Sequence, residues 1–266
     1  MFKNWIGTFS LKWFFALTAL FVLVLCISII SHLPISWLLA QPSIQKQIPD
    51  TMQLSPSHGT LWQGNTHLTM LKPTSTHIGE LSWNLSFWYL LIGQASLDSV
   101  WQKEQSQLRT HIKAPLLSEA TELEARGIEG KVLLPQLIEL LNLSDLKEMA
   151  IEGSLTLKEI DLVMDLQTQW PSVLTGQLIL NNLHVLDNAF PAITITPDLS
   201  ENKLVLNIKG QAQAWALSGK LELFKNQQYS IDLNVTAQSE SAMPDWAGML
   251  KQQSPTKAVL NHRGRW

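Results

Sequence analysis

The sequence predicts a mainly β protein: one N-terminal transmembrane helix, then an antiparallel β-sheet domain with few short helices. Three observations carry this. Positions 13–30 hold an uncharged apolar run, apolar and polar residues alternate in segment after segment from position 81 onward, and stretches with helical character are short. The 266 residues are 45% hydrophobic, enough to bury a core and too much for a disordered chain. Nineteen basic and 22 acidic residues leave a net charge of -3, so the basic footprint of a nucleic-acid binder is missing. One cysteine, Cys26, excludes an internal disulfide framework and any multi-cysteine metal site.

The apolar run reads WFFALTALFVLVLCISII and extends through Ser31 and His32 to Leu33 before Pro34. At 1.5 Å per residue such a helix crosses most of a ~30 Å hydrocarbon layer. Lys3 and Lys12 precede it and the next basic residue is Lys46. That asymmetry places residues 1–12 in the cytoplasm, residues 13–32 in the membrane and everything later on the far side. A cleaved signal peptide has a shorter apolar core and a small-residue cleavage site, and His32-Leu33-Pro34-Ile35-Ser36-Trp37 provides none. Trp5, Trp13 and Trp37 suit the two membrane interfaces. Pro34, Pro42, Pro49 and Pro56 mark residues 33–57 as a juxtamembrane segment, which leaves 58–266 for the β domain.

Period-2 alternation defines the strands. Leu81, Trp83, Leu85 and Phe87 share one face; Ala95, Leu97 and Trp101, then Leu108, Ile112 and Ala114, follow the same rule. From Leu155 the alternation runs to Glu159, where its phase slips onto Ile160, Leu162, Met164 and Leu166, as at a β-bulge. Leu178 and Leu180 lead into a turn expected at Asn181-Asn182; the strand from Ile193 is expected to stop at Pro197. Leu204 to Ile208, Trp215 to Leu223 and Tyr229 to Val235 complete a meander, the last two joined around Asn226-Gln227-Gln228. Pro135 to Asn142 begins with proline at a helix start, Phe87 to Ile92 is a compact apolar turn, and Met243 to Gln252 is expected to be a late helix. Leu117 to Arg126 is charged enough for a helix or an exposed loop.

Motifs of catalysis are missing: no Gly-x-Ser-x-Gly, no His-Glu-x-x-His and no phosphate-binding loop. Gly127-Ile128-Glu129-Gly130 reads as a loop between strands. His58, His67 and His77 are too widely spaced for one strand face, though two of them would meet if their strands paired. Glu119, Glu122, Glu124 and Glu129 read as a solvated face, and Asp161 and Asp165 as pointing to water. A hydrolase would need a dispersed cluster such as His58, His111 and Glu122 to converge. No catalytic, cofactor-binding or metal residue is assigned. Trp62, Trp83, Trp88 and Trp101 are large rings of the kind that fill β cores. Gly59 and Gly64 bracket Trp62, so Gly59, Leu61, Trp62, Gly64 and Trp83 read as a structural corner first and a partner contact second.

Leu33-Pro34-Ile35-Ser36-Trp37 after the apolar run, Gly59-Thr60-Leu61-Trp62-Gln63-Gly64, Gly79-Glu80-Leu81-Ser82-Trp83 and the turn Leu90-Leu91-Ile92-Gly93 together resemble bacterial type II secretion system protein N. The later strands starting at Gly153, Gly176, Gly219 and Tyr229, and the end Asn261 to Trp266, are similar to the second half of that family; residues 102–150 add little. The resemblance implies an inner-membrane accessory component, with a periplasmic domain, of the machine that exports folded proteins across the outer membrane. It implies protein–protein contacts with other inner-membrane subunits, and no enzymatic activity or cofactor. The strand style is also similar to AsmA-like envelope proteins, which implies an antiparallel, curved β-sheet periplasmic domain and, as the alternative function, lipid binding or transfer.

Overall fold

The computed structural model describes residues 11–42, 52–71, 75–115, 122–141, 143, 146, 148–186 and 188–265. Expectations on Lys3, Trp5, Lys46, Pro49, Glu119 and Trp266 therefore fall outside the described residues. Helix α1 (Leu11–Ser31) carries the apolar run, and the short α2 (Ile35–Leu39) follows Pro34. The described side chains of α1 are those of residues 17–22, 24, 25, 28, 29 and 31, and among the described residues no helix is long and apolar enough to cross a membrane. The expectation of a span over 13–32 rests on the apolar run itself.

The remainder is one antiparallel sheet. Its strands are β1 (Met52–Gly59), β2 (Gln63–Met70), β3 (Thr76–Leu85), β4 (Gln94–Lys103), β5 (Ser106–Pro115), β6 (Glu122–Leu133), β7 (Glu152–Asp165) and β8 (Trp170–Val185). After the two-residue β9 (Asn188–Ala189) come β10 (Ile193–Ser200), β11 (Lys203–Gln211), β12 (Trp215–Phe224), β13 (Gln228–Ala237), β14 (Lys251–Ser254) and β15 (Lys257–Arg265). Sequence neighbours pair throughout, except that β9 hangs off β8 and β14 lies outside β15 at the edge. Such a meander needs only local connections, which the short turns supply.

Helix α3 (Phe87–Leu91) occupies the predicted apolar turn, and α4 (Leu134–Leu140) the predicted proline-led helix, with Leu134 and Ile138 buried. The bulge expected at Glu159 is present: its φ is 48° and the β7–β8 register shifts between Lys158 and Asp161.

Several expectations give way. Strand β1 starts at Met52, inside the stretch read as juxtamembrane. No turn breaks β8 at Asn181-Asn182; Asn182 takes a left-handed φ of 50° where the register with β7 shifts, so the asparagine pair forms a bulge within one long strand. Strand β10 runs past Pro197 to Ser200 because its pairing with β8 ends at Ile195; beyond that it has a partner on one side, where a missing N–H is tolerated. Gly127 to Gly130 is not a loop but part of β6, absorbed as two register shifts around Ile128. Glu122 to Arg126 also belongs to β6. The late helix reduces to one 3₁₀ turn, Asp245–Met249, with another, Glu240–Ala242, before the expected range, and the chain then becomes strand β14.

The most tightly packed core lies under the C-terminal strands. Register puts Leu180, Ile193, Leu217, Val235 and Ala258 on one sheet face, from β8 across to β15. The 3₁₀ segment closes over them, so Ala247 is fully buried and Trp246 packs between Phe190, tilted at 5.0 Å, and Trp215, edge-on at 5.6 Å between ring centroids.

Candidate functional site

The residues singled out by sequence meet at one corner of the sheet. Gly59 and Gly64 face each other as the last pair of the β1–β2 hairpin, and Thr60 to Gln63 make its turn. Gly59 has a φ of 101°, which glycine adopts without strain. Thr60 N–H donates to the Gln63 carbonyl at 2.9 Å, closing the turn. Gly64 is needed for a different reason. A Cβ there would press on the His58 carbonyl and lie 2.6 Å from the Trp83 ring, because the indole of β3 lies across the glycine directly opposite it. The Trp83 Nε1–H then reaches the Leu61 carbonyl at 3.3 Å.

Two other segments tie into this turn. Leu61 N–H donates to the Leu33 carbonyl at 2.9 Å and Pro34 bridges Thr60, so the chain leaving α1 is held against the hairpin. Leu85 N–H donates to the Trp62 carbonyl at 2.6 Å, and the Trp62 ring meets Phe87 edge-on at 5.2 Å. Gly59, Leu61, Trp62, Gly64 and Trp83 thus join the end of α1, the first hairpin and α3. A groove of about 530 Å³ runs beside the corner, lined by His58, Asn65, Ser82, Asn84 and Asp98.

The other sequence candidates separate. His58 on β1 and His111 on β5 stand four strands apart, roughly 19 Å, so the cluster with Glu122 does not form. His67 and His77 do meet across β2 and β3, with ring centroids 5.5 Å apart. Among the described residues no group of three or more His, Cys, Asp or Glu is placed to hold a metal. Asp161 does not simply face water: its carboxylate accepts the Gly127 N–H at 2.8 Å and fixes the β6 bulge. Asp165 accepts N–H bonds from Gln167 and Thr168, and the Gln167 bond chiefly holds its carboxyl below the usual range.

Sequence reading missed one arrangement. His111 Nδ1 lies 2.6 Å from Asp98 Oδ1, and its Nε2 lies 3.3 Å from Ser96 Oγ. A carboxylate only accepts, so Nδ1 carries a proton toward Asp98, and Nε2 shares a hydrogen bond with the serine hydroxyl. The order matches that of a hydrolytic relay. Ser96, however, is only 2% exposed, and a nucleophile must meet its substrate. The chain of bonds therefore clamps β4 to β5. The β4–β5 hairpin could have revealed it: with Glu104-Gln105 as the turn, Asp98 must face His111 and Ser96 must lie diagonally beside it.

A cavity of about 1160 Å³ opens on the polar face of β5 to β8. Arg109, Lys131 and Lys158 line it together with Glu129, Glu159 and Asp161, so neither sign of charge dominates.

Taken together, these features define an all-antiparallel sheet protein whose singled-out glycines and tryptophans build a junction and whose polar groups are spread along its faces. The sequence profile of type II secretion system protein N matches residues 50–255, and the chain belongs to that family. No curated protein and no solved structure matches the chain.

Proposed function

We propose that this chain is an accessory component of the type II secretion system, anchored in the inner membrane by α1. It supports export of folded periplasmic proteins across the outer membrane through contacts with other inner-membrane subunits, and catalyses no reaction. The observation that carries the reading is family membership over residues 50–255. The uncharged run at 13–30, with Lys3 and Lys12 before it, supports a single span with a cytoplasmic N-terminus and a periplasmic sheet domain.

The two sheet edges differ from what strand addition by a partner prefers. Edge strand β14 has four residues, all exposed, and begins with Lys251. Edge strand β1 carries Pro56 inside a register shift between Leu54 and Ser57. Short, charged or proline-bearing edges resist pairing. Partner contact is therefore assigned to side-chain surfaces. Deleting the chain from a bacterium that uses this secretion system should lower the amount of substrate reaching the medium while substrate accumulates in the periplasm. Unchanged export, with no other secretion subunit co-purifying from detergent-solubilised membranes, would overturn the proposal.

A further inference from the structure

We propose that α3 and the residue after it, Phe87 to Ile92, form a wedge that enters the lipid headgroup region beside α1, giving the sheet domain a second hold on the bilayer. This rests on the reading of α1 as a membrane span.

The wedge is a surface that water does not suit. None of the five residues of α3 is buried; Trp88 is 75% exposed, Leu91 62% and the following Ile92 68%. Contiguous exposed apolar side chains of this size mark a place of contact. The hairpin corner decides which contact. Leu33 lies two residues beyond α1, its carbonyl holds Leu61, Trp62 holds Leu85, and Trp62 packs on Phe87. That path crosses about two interstrand spacings, on the order of 10 Å, from the end of α1 to the start of the wedge. If α1 ends at the membrane surface, Phe87 to Ile92 stand at that surface too. A partner protein seated on the wedge would have to share this space with lipid.

The side chains also suit an interface, where amphipathic rings sit at headgroup level and aliphatic chains lie just below. Trp88 and Tyr89 supply the rings, Leu91 and Ile92 the aliphatic tips. Lys113 Nζ stands 5.6 Å from the Tyr89 ring centroid, in position to meet a lipid phosphate. Trp37 in α2 is likewise exposed, in the segment that leaves α1.

The test uses the full-length chain with Cys26→Ala, reconstituted in nanodiscs of phosphatidylethanolamine and phosphatidylglycerol. A spin label is placed at Trp88→Cys and, as the water-facing control, at Val173→Cys on β8. Collision with oxygen should exceed collision with a water-soluble nickel complex at position 88, and the ratio should invert at 173. A label at 88 that behaves like the one at 173 overturns the inference, and so does one shielded from both agents, the mark of packing against protein, a second copy of this chain included. Alkaline extraction of the same nanodisc-reconstituted protein separates the two readings. Retention with a water-facing label at 88 sinks the wedge alone, whereas release from lipid sinks the anchor as well.

Discussion

The two ends of this sheet use aromatic residues in opposite ways. At the C-terminal end, Trp215, Trp246 and Phe190 pack against each other over Ile193, Leu217, Val235 and Ala258. At the N-terminal corner, Trp62 and Trp83 brace a hairpin, while Trp88 and its neighbours project outward. The C-terminal end has a covering segment, Glu240 to Met249, that closes its apolar face. The corner is instead tied to the chain leaving α1. A tryptophan's role in this chain is therefore set by what lies over it, which alternation along a strand cannot report.

The largest effects belong at the covered end. Val235 is fully buried in the middle of that core. Val235→Asp places a charge there with no partner, and the expected loss is at least about 4 kcal/mol, enough to unfold the domain. Urea titration followed by tryptophan fluorescence measures it; a cooperative transition near that of the unchanged protein would show that the core is looser than its packing implies. Trp246→Ala should cost about 3 kcal/mol by opening a cavity between Phe190 and Trp215.

The corner is next. Gly64→Ala sets a Cβ against the His58 carbonyl and the Trp83 ring. The expected destabilisation is about 1–3 kcal/mol, as for an overpacked site. A Trp83→Ala change made in the same chain should relieve part of that cost, so the double mutant should be less destabilised than the two single losses added together. Strict additivity would mean that indole and glycine are not in contact. A similar pairing recurs at the far end, where Gly264 faces the ring of Tyr229, which accounts for a glycine within the closing strand.

Much of this architecture was legible because a meander makes sequence order and spatial order nearly the same. Alternation located most of β3 to β5, β7 and β11 to β13, and the phase slip at Glu159 located a bulge. What escaped was decided by the neighbouring strand. Asn181-Asn182 looks like a turn by residue type, but the continued pairing with β7 turns it into a bulge. Gly127 to Gly130 looks like a loop, yet strands on both sides hold it in β6, with Asp161 bonding Gly127. The 3₁₀ turns after Ser239 have apolar residues at helix-like spacing, but Pro244 and Gly248 interrupt them. At the corner, the glycine–tryptophan spacing was visible; that Leu33 and Phe87 converge on it was not, because those contacts join segments far apart in sequence.

A smaller effect separates the ends electrostatically. Glu222 on β12 lies 3.0 Å from Lys203 and 3.4 Å from Lys220. The hydrogen bond from Lys203 is the main cause that holds its carboxyl below the ordinary 4.5. A carboxyl lowered in the folded state adds stability above its unfolded value, and that stability is lost as pH falls through the folded value. The melting temperature should therefore fall between about pH 5 and pH 3, less steeply in Glu222→Gln. Both lysines are more than 40% exposed, so solvent screens the pair and its worth stays below about 1 kcal/mol. Identical pH profiles for the two proteins would remove the pair from the account.

The smallest effect on stability is expected where the exposed ring is largest. Trp88→Ala removes as much side chain as Trp246→Ala or Trp83→Ala, yet Trp88 is 75% exposed and packs little of itself away. In detergent its unfolding midpoint should shift by less than about 0.5 kcal/mol, as for an ordinary surface change. Among the described residues its close ring neighbour is Phe87, at 5.8 Å, and Phe87 is held separately by Trp62, so the corner keeps its bonds. Set beside Trp246→Ala, this substitution isolates the role of cover, since the same side chain is removed from a closed face and from an open one. A loss for Trp88→Ala as large as for Trp246→Ala would mean that the corner stores its stability in the wedge, and the contrast between the two ends of the sheet would disappear.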